Sequence, residues 1–191
     1  MATPREQGKP VGRDQVVAAV LEHAADLFAE RGPAATSTRD IAARATVNPA
    51  LVFRHFGTKD LLVGAVLDYL AARSAAARKA DAGPSLAESE TRRQWQVITR
   101  ALMDGYPVGR LQHQFPGVAE LIEKAGARYD DEAEARLAAA NVVALRLGWQ
   151  LAEPSVRAAA GLDAVSEERI QDGIRTATEN ILGNGDRASD R

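Results

Sequence analysis

The sequence predicts an all-α protein. Three observations carry that expectation. Alanine is abundant, β-branched runs are short, and apolar residues recur at i, i+3, i+4 rather than in alternation. The chain has 191 residues, 46% of them apolar, enough for a real core in one compact unit or two small ones sharing a helix. It has no cysteine, which rules out a disulfide framework or a thiolate metal site and suits a reducing cytoplasm. No N-terminal stretch resembles a signal peptide. The longest apolar run, Leu137 to Ala152, is too short to span a bilayer and contains Asn141 and Arg146. A cytoplasmic protein with no membrane contact is expected.

Residues 1–12 are polar, with two prolines and two glycines, and read as a flexible arm. A first helix is expected over Arg13 to Arg31, with Asp14 as its N-cap and Gly32-Pro33 as its stop. Val17, Val20, Leu21, Ala24, Leu27 and Phe28 recur along it at helical spacing. Ser37-Thr38-Arg39-Asp40 fits a capping box, a hydroxyl at the N-cap with an acid three residues on. Ile41, Ala42 and Ala45 give the short helix that follows its apolar face. Thr46-Val47-Asn48 forms a turn. Asn48 caps the next helix and Pro49 sits at its first position, where a missing N–H costs nothing. Val52 and Phe56 face inward there, and Gly57 ends the helix. Two short helices joined by a tight turn are the helix-turn-helix arrangement, whose second helix enters the DNA major groove.

A fourth helix follows from Lys59 to Lys79, with Leu62, Val66, Tyr69 and Leu70 on one face; Ala82 to Ser85 breaks the pattern. The next is expected over Leu86 to Tyr106, ended by Pro107-Val108-Gly109. Gly109 to Phe115 is short and irregular, and Pro116 opens another helix with Val118, Leu121 and Ile122 inward. A long helix from about residue 130 to Ala152 is apolar nearly all round, so it must be covered on every side, with a second subunit a candidate for part of that cover. Pro154 kinks or ends it, and a short helix closed by Gly161 follows. The last helix starts at Ser166, with Glu167 and Glu168 at its positive end. Residues 184–191 are expected to be a disordered tail.

The series LFAERG, TSTRDIAARA and VNPALVFRHFGTKDLL resembles the N-terminal domain of the TetR (tetracycline-repressor) family of bacterial transcription regulators. The likeness covers roughly residues 13–70 and rests on several motifs in order and at the right spacing. It implies a three-helix DNA-binding domain (13–58), a connector helix (59–82) and a helical ligand-binding and dimerisation domain (83–183). Ser37, Thr38 and Arg39 would then meet phosphate at a helix N-terminus. Asn48, Pro49, Ala50, Leu51, Phe53, Arg54 and His55 would form the recognition helix, and Lys59 the phosphate-binding lysine. Two positions depart from the family pattern. Phe53 stands where a tyrosine would offer its hydroxyl to phosphate. Leu51 replaces a threonine and can read only by apolar contact, for example with a thymine methyl. His55 reads equally well as a phosphate contact or a helix C-terminal cap.

Net charge is −2, which argues against a general nucleic-acid binder. Residues 1–59 hold eight Lys/Arg and six Asp/Glu, leaving the acidic excess in the remainder. That asymmetry is compatible with a DNA-facing end. Trp95, Thr99, Leu102, Met103, Tyr106, Phe115, Asn141, Arg146, Trp149 and Gln150 form the candidate lining of an effector cavity. Each apolar one is also explained by ordinary core packing, and the family resemblance lifts the cavity reading. The effector would be largely apolar, neutral or singly anionic, since buried unpaired charge is costly. Leu145, Ile170, Ile174, Ala177 and Ile181 are the candidate homodimer contacts.

Enzyme motifs are absent: the chain has no G-x-G-x-x-G, P-loop, G-x-S-x-G or H-E-x-x-H, and its three histidines are scattered. No cofactor is expected. The resemblance implies a homodimeric repressor, released from a pseudo-palindromic double-stranded operator by a small molecule. The alternative is an all-helical small-molecule sensor or carrier acting through a protein partner, favoured only by the Phe53 and Leu51 departures.

Overall fold

The computed structural model describes residue 10 and residues 12–80 and 84–183. The expected N-terminal arm and C-terminal tail therefore lie almost wholly outside the described residues, as do Ala82 and Gly83 of the expected break after α4. Among the described residues every regular element is a helix. They are α1 (Arg13–Arg31), α2 (Thr38–Arg44), α3 (Pro49–Phe56), α4 (Lys59–Lys79), α5 (Pro84–Met103), α6 (Val108–Leu111), α7 (Pro116–Gly126), α8 (Glu132–Ala159) and α9 (Glu167–Leu182). None of them is long and apolar enough to cross a membrane. The chain divides into two compact units between Gln114 and Phe115.

In the first unit α4 packs along α5, and α1 packs on both, with α2 and α3 laid against α1. Phe28, Ile41, Leu62, Leu67, Leu70, Val20, Val52 and Val97 are shut away from solvent. Burying a Leu, Val or Phe side chain contributes about 1.5–3 kcal/mol, so this cluster fixes the angle at which the helix-turn-helix is presented. Gly64 lets α6 approach α4: a side chain there would collide with the backbone carbonyl of Leu111. A polar clasp then ties α5 to the other two helices. Arg93 donates to Glu22 at 2.9 Å, to the Glu22 carbonyl at 3.0 Å and to Asp26 at 2.6 Å. Arg73 donates to Glu90 and, at 3.1 Å, to Glu22, which also accepts from the Tyr69 hydroxyl.

The second unit contains α7, α8 and α9. Its core is small: Ala125, Ala135, Ala138, Val142 and Leu182, with Leu121, Tyr129 and Ile181 packed against it. Tyr129 donates to the Ile181 carbonyl at 3.0 Å and Arg128 to the Asn180 carbonyl at 2.8 Å, which pins the end of α9.

Two sequence expectations are corrected. The N-cap of α1 is Gly12 and carries no side-chain cap bond; Asp14 lies inside the first turn, where its charge still complements the helix dipole. Helix α5 starts at Pro84 rather than Leu86, as suits proline in a first turn, and ends at Met103 rather than Tyr106. Its end is set by Gly105, at φ 81, and by the Tyr106 N–H donating back to Ala101. The expected break at Pro154 is present: Ala152 leaves helical geometry inside α8 (φ −124, ψ 15), and a short helical stretch runs on to Ala159 before the turn at Gly161. Within its own unit α8 is covered on one side. Leu137 and Leu151 are 61% and 43% exposed, and Ala140, Asn141, Ala144 and Gly148 continue that open stripe between them.

Candidate nucleic-acid interface

The helix-turn-helix is built from local chemistry. The Ser37 hydroxyl accepts from the Asp40 N–H at 3.1 Å, and the Asp40 carboxylate accepts from the Ser37 N–H at 3.0 Å. These bonds from Ser37, and then Arg31 at 2.9 Å, hold the Asp40 carboxyl below its ordinary range. Helix α2 ends in a left-handed turn at Thr46 (φ 56), where the Val47 N–H donates to the Ala42 carbonyl at 2.9 Å. A β-branched residue in that conformation is a genuine outlier, and it sets the tight reversal into α3. The Asn48 side chain caps α3 by accepting from the Ala50 N–H at 2.9 Å, with Pro49 at the first helical position. Val52 is buried at 1% and anchors α3 in the core.

That anchor turns the opposite side of α3 outward. Asn48, Pro49, Ala50, Phe53 and Arg54 are exposed, while Leu51 and His55 are half-buried. Phe53, an aromatic side chain, is 72% exposed. Ser37 and Arg39 are exposed at the start of α2, and Thr38 is half-buried beside them. The arginines separate into two groups. Arg31 and Arg44 are used internally, bound to Asp40 at 2.9 Å and Glu30 at 2.7 Å. Arg39 and Arg54 form no ion pair among the described residues, so their charge is available to an outside anion. Lys59, at the start of α4, donates through Nζ to the Ala34 carbonyl at 3.3 Å. An ammonium has three protons, so two donors remain beyond that bond. The first unit thus presents exposed helix N-termini, unpaired arginines and an outward-facing short helix, the kinds of group that meet phosphate and groove. These features define a helix-turn-helix DNA-binding protein.

Comparison with known proteins agrees with that class. Residues 20–66 match the family model for bacterial regulatory proteins of the tetR family. The chain is 50% identical over 181 residues to the HTH-type transcriptional repressor Rv3405c of Mycobacterium tuberculosis, covering 95% of this chain and 96% of that one. The same figures hold for the HTH-type transcriptional regulator Mb3439c of Mycobacterium bovis. A TetR-like transcriptional regulator from Rhodococcus sp. RHA1 has the same fold, with a TM-score of 0.54 at 23% identity over 92% of this chain and 97% of that one. The chain belongs to the TetR family and is a DNA-binding transcriptional regulator.

The residues expected to hold an effector are distributed less simply. In the first unit Trp95 and Tyr106 are half-buried and Thr99 is buried at 7%, its hydroxyl without a hydrogen-bond partner. Leu102 and Met103 are instead exposed, at 39% and 74%, because α5 buries the Val97, Ile98 and Ala101 side against its neighbours. In the second unit Arg146 and Trp149 are half-buried, while Phe115, Asn141 and Gln150 are exposed. Asn141 and Gln150 are therefore not embedded in an apolar face of their unit: the buried side of α8 is the Ala135, Ala138, Ala139 and Val142 side. The candidate dimer contacts divide as well. Ile170 is 6% exposed and Ile181 packs on the alanine core, so both are used inside their own unit. Leu145, Ile174 and Ala177 are half-buried. The open stripe of Leu137, Ala144, Gly148 and Leu151 lies on the helix whose all-round apolar character pointed to cover from a second subunit.

Proposed function

We propose that this regulator is a homodimeric repressor, released from a pseudo-palindromic operator by a largely apolar effector. The observation that carries the DNA-reading part is the outward face of α3, anchored by Val52 and flanked by Arg39 and Lys59. Phosphate contacts from Thr38, Arg39 and Lys59 position the helix, and Asn48, Arg54, Leu51 and Phe53 meet the bases. A single short helix binds weakly, so two copies act on half-sites about 34–36 Å apart or a multiple of that. The open apolar stripe of α8, with Leu145 and the half-buried edge of α9, supports a four-helix contact between copies. The small residues Ala144 and Gly148 would let helices approach closely. Repression is the activity printed in the name of the 50% identical M. tuberculosis relative. An effector bound against α5, with the unpartnered Thr99 hydroxyl as one polar handle, would displace α5 and hence α4, which it packs along. Binding that favours one spacing of the reading helices weakens the other.

The test is a titration of DNA from the region flanking the protein's own gene, at several salt concentrations. Lys59→Ala should weaken binding about equally on all sequences and lower the salt slope by ~1 per subunit. Arg54→Ala should instead cost about 1–3 kcal/mol at particular base pairs and relax discrimination there. An unchanged slope in Lys59→Ala would remove Lys59 from the phosphate contacts.

A further inference from the structure

One carboxylate from beyond α4 reaches the turn that leads into the helix-turn-helix. Asp104, at the end of α5, accepts the Ala34 N–H on Oδ2 at 2.7 Å, across 70 residues of sequence. The turn between α1 and α2 is shaped around this group. Gly32 lies at φ 83, and a Cβ there would come within 2.6 Å of the same Oδ2. Ala34 is also the residue whose carbonyl takes the Lys59 ammonium at 3.3 Å. So one residue of the turn is bonded on its N–H side to α5 and on its C=O side to the first residue of α4. The end of α5 is itself fixed, since Gly105 at φ 81 turns the chain and the Tyr106 N–H closes back on Ala101 at 2.9 Å.

We propose that Asp104 is a positioning residue for DNA binding: it holds Ala34 so that Lys59 is aimed at phosphate, and it makes that aim depend on where α5 ends. The proposal rests on the reading of Lys59 given above. A hydrogen bond to a charged group is stronger than a neutral one, so this contact outweighs the ordinary turn bonds around it. Lys59 has a flexible four-carbon stem. Tying one of its three protons to Ala34 narrows the directions open to the other two. If the end of α5 is displaced, Ala34 is released, and Lys59 regains freedom that must be lost again on binding. Asp104 touches no DNA in this scheme.

Asp104 is exposed, so its replacement leaves no buried group stranded. The experiment compares Asp104→Ala, Asp104→Asn, Lys59→Ala and the Asp104→Ala/Lys59→Ala pair in the full chain. The probe is a mixed-sequence duplex of about 30 base pairs at low salt, which suffices because phosphate contacts are sequence-independent. Amide spectra supply a readout independent of DNA. In Asp104→Ala the Ala34 amide should shift and exchange faster, duplex affinity should fall about fivefold and the salt slope should drop toward that of Lys59→Ala. Asp104→Asn keeps an acceptor oxygen and should restore most of the affinity. In the pair, Asp104→Ala should add little to Lys59→Ala, because both act on one contact. An unmoved Ala34 amide overturns the proposal whatever the DNA does. Full affinity in Asp104→Ala, or losses that add in the pair, overturns it while leaving the DNA-binding reading intact. Unchanged affinity in Lys59→Ala overturns both the Lys59 assignment and the proposal.

Discussion

Residues before and after Gln114 hold themselves together by different means. Among the described residues the largest fully buried side chains are Phe28, Ile41, Leu62, Leu67, Leu70, Thr36 and a set of valines, and of these only Val142 lies in the second unit. The second unit relies on alanine packing, while Leu137 and Leu151 stay open to solvent. The first unit also spends its charges inward, in the Arg93 and Arg73 clasp. The ion pairs of α8 and α9 run largely within one helix, as in Arg136 with Glu132 and Arg175 with Asp172. A deep core and a clasp give a rigid platform, as reading a groove requires. A thin alanine core beside an open apolar stripe gives a unit that gains from being covered.

The largest effect that would sharpen this contrast is a core truncation in each half. Phe28→Ala should destabilise by about 3–5 kcal/mol, from lost burial plus the cavity left behind. Val142→Ala removes two carbons from a site lined by alanines and should cost about 1.5 kcal/mol, at roughly 0.8 kcal/mol per carbon. Denaturant unfolding at several protein concentrations checks both. Equal losses at the two sites would erase the distinction between the cores.

A substitution on the open side of the second unit comes next. Leu137→Glu places a charge on the exposed stripe of α8, and Leu145→Glu and Ile174→Glu place one beside it. In an isolated chain the first should be nearly neutral, within about 0.5 kcal/mol, as surface changes generally are. In a dimer joined there it should split the assembly and lower operator affinity. Sedimentation at micromolar concentration decides, and an unaltered protein that is already monomeric ends the dimer reading.

How much of this was legible in the sequence follows from the range of each interaction. The Ser37–Asp40 box, the Asn48 cap and Pro49 were readable because both partners lie within three residues. Pro154 announced a disturbance in α8, but whether it bends or ends the helix depends on what the following turn packs against. Here Arg157 binds Glu153 and Glu167, tying the last turn of α8 to the start of α9. The Arg93 and Asp104 contacts span about 70 residues and have no local signature at all. For the same reason the sequence divided the chain functionally near residue 83, whereas α5 and α6 belong to the first compact unit. The effector residues suffered most, since spacing along a helix tells which residues share a face but not which face is buried.

Among the described residues the left-handed turn at Thr46 is the one place where a residue other than glycine takes a positive φ. A left-handed conformation costs a residue with a side chain about 1–2 kcal/mol, and glycine escapes that cost while losing more entropy on folding. Thr46→Gly should therefore stabilise by about 0.5–1 kcal/mol, read as a rise in the denaturant midpoint. Because Thr46 is exposed on the turn rather than on α3, DNA affinity should stay the same. A loss of affinity without loss of stability would place its hydroxyl on the phosphate.

The smallest effect tests the clasp through pH. Burial alone would raise the Glu22 carboxyl, but the Tyr69 hydrogen bond, Arg93 and Arg73 outweigh it and bring the pKa below the ordinary 4.5. A carboxyl whose pKa is lower folded than unfolded binds protons more readily in the unfolded chain. Its stabilisation is thus fully present above about pH 4.5 and is lost as pH falls through the folded value. The Glu22 side chain is 37% exposed, so solvent screens these charges and the contribution is modest. Glu22→Gln should lower stability slightly at neutral pH and leave a shallower decline on acidification. Arg73 stays charged throughout, because its bond to Glu90 holds the guanidinium pKa still higher than usual, so the acid limb reports the carboxylates alone. If the variant and the unaltered protein lose stability in parallel below pH 4.5, the clasp is too well solvated to account for the rigidity of the first unit. Its stiffness must then come from the Phe28 and leucine core alone.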